Sequence, residues 1–214
     1  MRITDVRKRR GKLYLLFLDG EEAMTVDALT FDESPYRMGG SITDEELYAL
    51  LEESRRRRAR EKALYLLSLR DYGRAELEKK LRDEAGEDAA AEAAGRMEEL
   101  GLLDDRRYAA RLAEDCVGRR CFPRRRAVQE LTGRGIARDL AEEAVDEALQ
   151  EAEKDDRLLA LELLHKKYYN RLCDEDAQRK TMAALARYGF GYEAARFAVE
   201  TALTEKQDED EGGR

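Results

Sequence analysis

The sequence predicts a mainly all-α protein: three tandem three-helix repeats forming an elongated curved body, with a small N-terminal antiparallel β-sheet. Three observations carry this expectation. Charged residues make up 41% of the 214 positions, with two prolines and no tryptophan, a profile of helices with thin cores. From Ala59 onward the chain repeats with a period of roughly 50 residues, at the upper end of the helical-repeat range. Only the first 40 or so residues show strand and hairpin patterning.

The sheet comes first in the chain. Leu13 to Leu18 is an unbroken apolar run followed by Asp19-Gly20, a strong two-residue hairpin signal. The return strand is expected over about Glu21 to Val26, and Ile3 to Val6 supplies a third strand through the Lys8-Arg9-Arg10-Gly11 turn. Three short strands are marginal alone, so this sheet should lean on the first helices. Residues 1–42 form this cap, closed by Ser34-Pro35 and Gly39-Gly40. Thr43 and Glu46 then make a capping box that starts a linking helix over residues 43–58. No Gly or Pro separates it from the segment Ala63 to Leu69, which leaves one helix or two equally open.

The repeats span residues 59–105, 106–156 and 157–204. In each, the middle helix ends near a glycine: Leu81 before Gly86, Leu131 before Gly135, Leu185 before Gly189. The second and third align without a gap, pairing Leu131 with Leu185, Val145 with Val199 and Leu149 with Leu203. The first needs a one-residue insertion near Ala85. In such arrays each unit contacts mainly its neighbours and the concave face is extended. Residues 205–214 are acidic and glycine-ended, and read as a disordered tail.

The joint between the first two repeats is the most informative stretch, Leu100-Gly101-Leu102-Leu103-Asp104-Asp105-Arg106-Arg107-Tyr108-Ala109. Gly101 suits the left-handed position that ends a helix. Leu102 and Leu103 are apolar enough that the linker should tuck into a core, and Asp104 or Asp105 can cap the helix carrying Tyr108, Ala109, Leu112 and Cys116. This stretch resembles the signature of the RecX family, regulators of the RecA recombinase. A second stretch, Ala63 to Leu81, resembles the same family's helix, Arg70-Asp71 turn and Glu76-Leu77 helix. The chain departs from the family in having Gly73 where a serine cap is usual. Glycine also caps adequately. The resemblance implies a protein that binds RecA filaments along their groove, with possible contact to the filament's DNA, and restrains strand exchange, ATPase and coprotease activity in recombination, DNA repair and the SOS response.

Chemistry-bearing residues are few. His165 is the only histidine, which excludes two-histidine metal sites and makes histidine-dependent triads improbable. Cys116, Cys121 and Cys173 include no CxxC pair and read as free thiols in a reducing cytosol. Gly189-Phe190-Gly191 lacks the rest of a dinucleotide fingerprint. No apolar run reaches the roughly 18 residues of a membrane span. The expectation is a soluble, cytoplasmic, non-catalytic protein with no cofactor and no metal. The lack of a heptad seam argues for a monomer.

The net charge of −8 argues against a general nucleic-acid binder, but charge is unevenly placed. Between Arg119 and Arg138 stand seven arginines against one acid, Glu130. Guanidinium forks suit phosphate and carboxylate, whereas lysine would solubilise equally well. Arg119, Arg120, Arg124, Arg125 and Arg126 flank Phe122-Pro123 and are expected to project together. With Arg70 and Arg74 of the first repeat they are the candidate contacts to filament or nucleic acid. Gly101, Leu102, Leu103, Asp104, Asp105 and Tyr108 form the structural joint. The alternative function is a free-standing DNA- or RNA-binding helical repeat protein that needs no recombinase.

Overall fold

The computed structural model describes residues 1–212, with side chains through Glu209. Strands β1 (Ile3–Arg9), β2 (Leu13–Leu18) and β3 (Glu21–Asp27) form one antiparallel sheet in that order. Asp19 and Gly20 both have positive φ, 51° and 92°, the backbone a tight two-residue hairpin needs. Ile3, Leu16, Leu18 and Val26 pack under Phe31, Ile42, Leu47 and Leu50, so the sheet does lean on the first helices. One of these, the short helix α1 (Ala28–Glu33), is capped by Asp27, whose carboxylate accepts from the Thr30 amide; the sequence reading placed no helix there.

Helix α2 (Asp44–Leu69) answers the open question: it is one continuous helix of 26 residues. Its capping box is complete, with the Thr43 hydroxyl accepting from the Glu46 amide and the Glu46 carboxylate accepting from the Thr43 amide at 2.9 Å. The C-terminal half of α2 packs with α3 (Arg74–Ala85) and α4 (Glu87–Glu99) around Ala63, Leu77, Leu81, Ala93 and Met97. Gly73 occupies the cap of α3 without a side-chain bond. Alanine dominates the facing side of α4, which lets the helices approach closely.

At the joint, α4 ends in a Schellman motif. Gly101 has φ 67°, the Leu102 amide donates to the Met97 carbonyl at 2.9 Å, and the Gly101 amide donates to the Glu98 carbonyl at 2.8 Å. Leu103 is buried, as expected. Leu102, however, is 45% exposed: the tight turn needs both residues in sequence but can aim only one side chain at the core. Helix α5 (Asp105–Glu114) follows, with Asp104 immediately before its first residue and Asp105 in its first turn.

The chain divides into two compact units, residues 1–104 and 105–214. In the second unit α5 runs into a π-helical turn, Asp115–Arg119. The wider turn puts the consecutive residues Cys116 and Val117 both into the core. The chain leaves it through Cys121, held at φ 50° while the Phe122 amide donates to the Cys116 carbonyl. Helices α6 (Arg124–Gly133) and α7 (Arg138–Glu151) complete the second repeat, and α8 (Asp156–Lys167), α9 (Glu175–Tyr188) and α10 (Tyr192–Gly212) form the third. The middle helices α6 and α9 end alike: Ile136 and Phe190 donate to the carbonyls of Leu131 and Leu185 across glycines of positive φ.

One continuous core runs through both of these repeats, from Tyr108 and Leu131 through Leu159 and Leu163 to Leu185 and Ala202. The expectation of disorder from residue 205 meets a helix instead: α10 continues to Gly212, and the Lys206 ammonium donates to the Leu172 carbonyl at 3.1 Å. The rest of that expectation, residues 213 and 214, lies outside the described residues.

Candidate functional site

The first repeat neutralises its own arginines. Arg70, which ends α2, lies over the Tyr72 ring at 3.7 Å and bonds Glu76 at 2.6 Å. Arg74, at the start of α3, bonds Glu78 at 2.8 Å and also pairs with Glu98 on α4. Both guanidiniums thus stitch the start of α3 to neighbouring helices, and Glu84, in the last turn of α3, ties it to Lys62 and Arg58 on α2. The Lys62 ammonium is the main reason the Glu84 carboxyl titrates below its ordinary range, against partial burial.

In the second repeat the five candidate arginines do not project together. Arg119 is exposed and, among the described residues, pairs with Asp115 alone, at 3.4 Å. Arg120 turns back to Glu130 at 3.1 Å and lies over the Phe122 ring at 4.1 Å. Burial opposes ionisation of Glu130, but Arg120 and Arg134 outweigh it and hold the carboxyl below the usual range. Arg124 makes a two-pronged bond to Asp146 on α7, at 2.6 and 2.7 Å, while its amide donates to Asp156 at 2.9 Å. Arg124 is therefore committed to holding α6, α7 and α8 together.

Arg126 is committed differently. It donates to the Tyr188 carbonyl at 2.8 Å, at the C-terminal end of α9, where a cation complements the helix dipole. The same guanidinium lies 4.2 Å from the Phe122 ring centre and 4.3 Å from that of Tyr188. Phe122 is thus held between Arg120 and Arg126, and the Tyr188 hydroxyl donates to the Arg120 carbonyl at 3.2 Å. Gly189 ends α9 at φ 109°, a conformation that favours glycine, and sits against α6: a Cβ there would make ordinary contact with Pro123 Cγ at 3.4 Å and Arg126 Cβ at 3.5 Å.

Beside this clamp lies an open cleft of about 240 Å³ lined by Arg125, Arg126, Gln129, Arg187, Tyr188 and Gly189. Three arginines and no acidic residue line it. Of the seven candidate arginines only Arg125 and Arg126 reach it. Arg187 and Gln129 were missed by the sequence reading. Arg187 lies in the third repeat, far from the dense run, and nothing local to it signals that α9 ends against the start of α6.

The thiols show no activation. Burial pushes the Cys116 thiol up to about 11, and burial likewise raises Cys121 even though the Lys166 ammonium sits 3.2 Å from its sulfur. His165 stacks on Tyr169 and faces Glu205 at 2.9 Å. Among the described residues no group of three His, Cys, Asp or Glu is placed to hold a metal ion, and no helix is long and apolar enough to cross a membrane.

Comparison with known proteins converges on one family. The family model described as RecX, second three-helix domain, matches residues 104–145, the stretch from the joint through most of α7. The chain is 30% identical over 148 residues to the regulatory protein RecX of Caldanaerobacter subterraneus subsp. tengcongensis, covering 68% of this chain and 75% of that one. It is also 30% identical over 158 residues to the regulatory protein RecX of Chlorobaculum tepidum, covering 73% of this chain and 95% of the relative. A crystal structure of a regulatory protein RecX superposes with a TM-score of 0.59 at 20% identity, over 93% of this chain and 98% of that one, and shares the fold. The joint, the helical repeats and these relatives together place the chain in the RecX family of regulatory proteins.

Proposed function

We propose that this protein binds RecA nucleoprotein filaments and restrains their growth, and through that the recombinase, ATPase and coprotease activities of RecA in recombination, repair and the SOS response. The observation that carries this reading is membership of a family of regulatory proteins, traced over most of the chain. The physical character of the molecule agrees with it. Thin helical repeats held by surface ion pairs offer a broad contact surface, and the guanidinium cleft offers a foothold for an anionic partner. On this reading the protein works in the cytoplasm, as a monomer, without a cofactor and without catalysing a reaction.

A bound regulator that stops filament growth affects many subunits at once, so the effect should appear at substoichiometric amounts. The test is to titrate the protein into RecA assembling on single-stranded DNA and into preformed filaments. ATP hydrolysis should slow and filament length should shorten. An unchanged ATPase together with unchanged filament length would overturn the reading. A second reading, a free-standing DNA- or RNA-binding protein, is favoured by one feature only, the carboxylate-free cleft. It requires binding to bare nucleic acid at physiological salt with no effect on RecA.

A further inference from the structure

We infer that the cleft between the start of α6 and the end of α9 is a phosphate site that takes one backbone phosphate of a nucleic-acid strand, with Arg125 and Arg187 as its principal ligands. The inference extends the anion-binding reading of this surface and does not depend on RecA being the partner.

Four observations support it. First, Arg125 and Arg187 have no hydrogen-bonding or ionic partner among the described residues, although almost every other arginine near them is committed. Two guanidiniums facing one cleft without a counter-charge repel each other, and an anion between them relieves that repulsion. Second, Arg126 already occupies the Tyr188 carbonyl, so the negative end of the α9 dipole is covered where it borders the cleft. Third, the cleft of about 240 Å³ falls below the roughly 300–1,000 Å³ of sites that enclose whole small molecules, which suits a group carried on a larger ligand. Fourth, the donors exceed what a carboxylate can use. One guanidinium fork satisfies both oxygens of a carboxylate, whereas two free forks and the Gln129 amide can address the several oxygens of a phosphate.

The clamp explains why the site is persistent. Phe122, Arg126 and Tyr188 fix the end of α9 against the start of α6, and Gly189 supplies the left-handed turn, φ 109°, that ends α9 there. Arg125 and Arg187 are therefore carried on two helices whose spacing is set by packing, and a phosphate finds them already near each other. Such preorganisation lowers the ordering cost of binding.

The experiment compares the full-length protein with the double variant Arg125→Gln, Arg187→Gln. Binding of a fluorescein-labelled single-stranded oligonucleotide is followed by anisotropy over a range of potassium chloride concentrations, and inorganic phosphate is titrated separately by calorimetry. The expected result is weaker binding at low salt and a slope of log affinity against log salt smaller by about 0.7, the value for one phosphate contact on a single strand. An unchanged slope overturns the inference. Binding of inorganic phosphate without binding of the oligonucleotide also overturns it, since the cleft would then serve a free anion. If the double variant loses its effect on RecA filaments while its slope on bare DNA stays the same, the cleft meets acidic protein side chains and the inference fails. If the slope falls as expected but the unmodified protein leaves filaments untouched, the phosphate site stands and the filament reading alone fails.

Discussion

The first repeat and the junction of the second and third are both rich in arginine, but their arginines have different partners. Every arginine from Arg55 to Arg96 meets a carboxylate: Arg56 and Arg60 reach Glu92, Arg58 reaches Glu84, Arg70 reaches Glu76, Arg74 reaches Glu78 and Glu98. The others, Arg55, Arg57, Arg82 and Arg96, do likewise. At the junction Arg126 has rings and a helix-end carbonyl, and Arg125 and Arg187 have no partner among the described residues. A count of basic residues cannot separate these cases. The difference lies in which side chains the fold brings opposite each guanidinium, so of these two regions only the junction leaves arginines without a protein partner among the described residues.

Phe122, buried between two guanidiniums, is the side chain on which the junction depends most. Phe122→Ala should cost about 3–5 kcal/mol, read as a lower denaturant midpoint in the second unit. A loss under 1 kcal/mol would mean that the clamp does not hold α6 to α9.

Arg126→Gln and Arg74→Gln form the next pair. Losing the bond to the Tyr188 carbonyl and two ring contacts should cost about 1–3 kcal/mol, whereas losing a half-exposed ion-pair partner should cost about 0–1 kcal/mol. Thiol labelling gives a second readout, because Cys116, Cys121 and Cys173 all lie in the second unit. In the native protein the exposed Cys173 should react and the buried pair should not; Arg126→Gln should speed labelling of Cys121, next to Phe122, while Arg74→Gln leaves it unchanged. Equal effects of the two substitutions on both readouts would erase the distinction.

A smaller effect separates the two by pH. The folded protein holds the Glu84 carboxyl below its ordinary value, so the stability it contributes is present above the normal glutamate range and is lost as pH falls through the folded value. Glu84→Gln should therefore cost at most about 1 kcal/mol at pH 7 and progressively less below about pH 4.5. A deficit that stays constant down to pH 3 would show that the Lys62 and Arg58 pairs contribute nothing. The smallest effect is expected for Arg125→Gln with Arg187→Gln, which should move stability by no more than about 0.5 kcal/mol because neither side chain holds anything in place.

Helix starts, helix stops and the hairpin were legible in the sequence because they depend on neighbours a few residues away. Thr43 and Glu46 cap as their spacing implies, Asp19-Gly20 turns as a hairpin pair does, and Gly101 adopts the left-handed conformation that ends α4. What was not legible depends on distant neighbours or on small helical irregularities. The π turn at Asp115–Arg119 has no sequence marker and rotates everything after it, so the spacing from Arg119 to Arg126 could not be projected onto one face. Arg124 faces Asp146 and Arg126 faces Tyr188 because three helices converge there. For the same reason nothing in the sequence joins Arg187 to the cleft, which it lines because α9 ends on α6.

The shared core of the second and third repeats has a consequence for dissecting the molecule. A fragment cut at the sequence period, after about residue 156, would strip the partner surface from Phe122, Arg126 and Leu131 and leave an apolar edge open to water. Such a piece should aggregate, whereas one spanning residues 105 to 212 keeps its interior whole. The period of the sequence and the unit of cooperative folding thus differ in length here, and transplanting a single repeat into another array would have to carry the facing half of its neighbour with it.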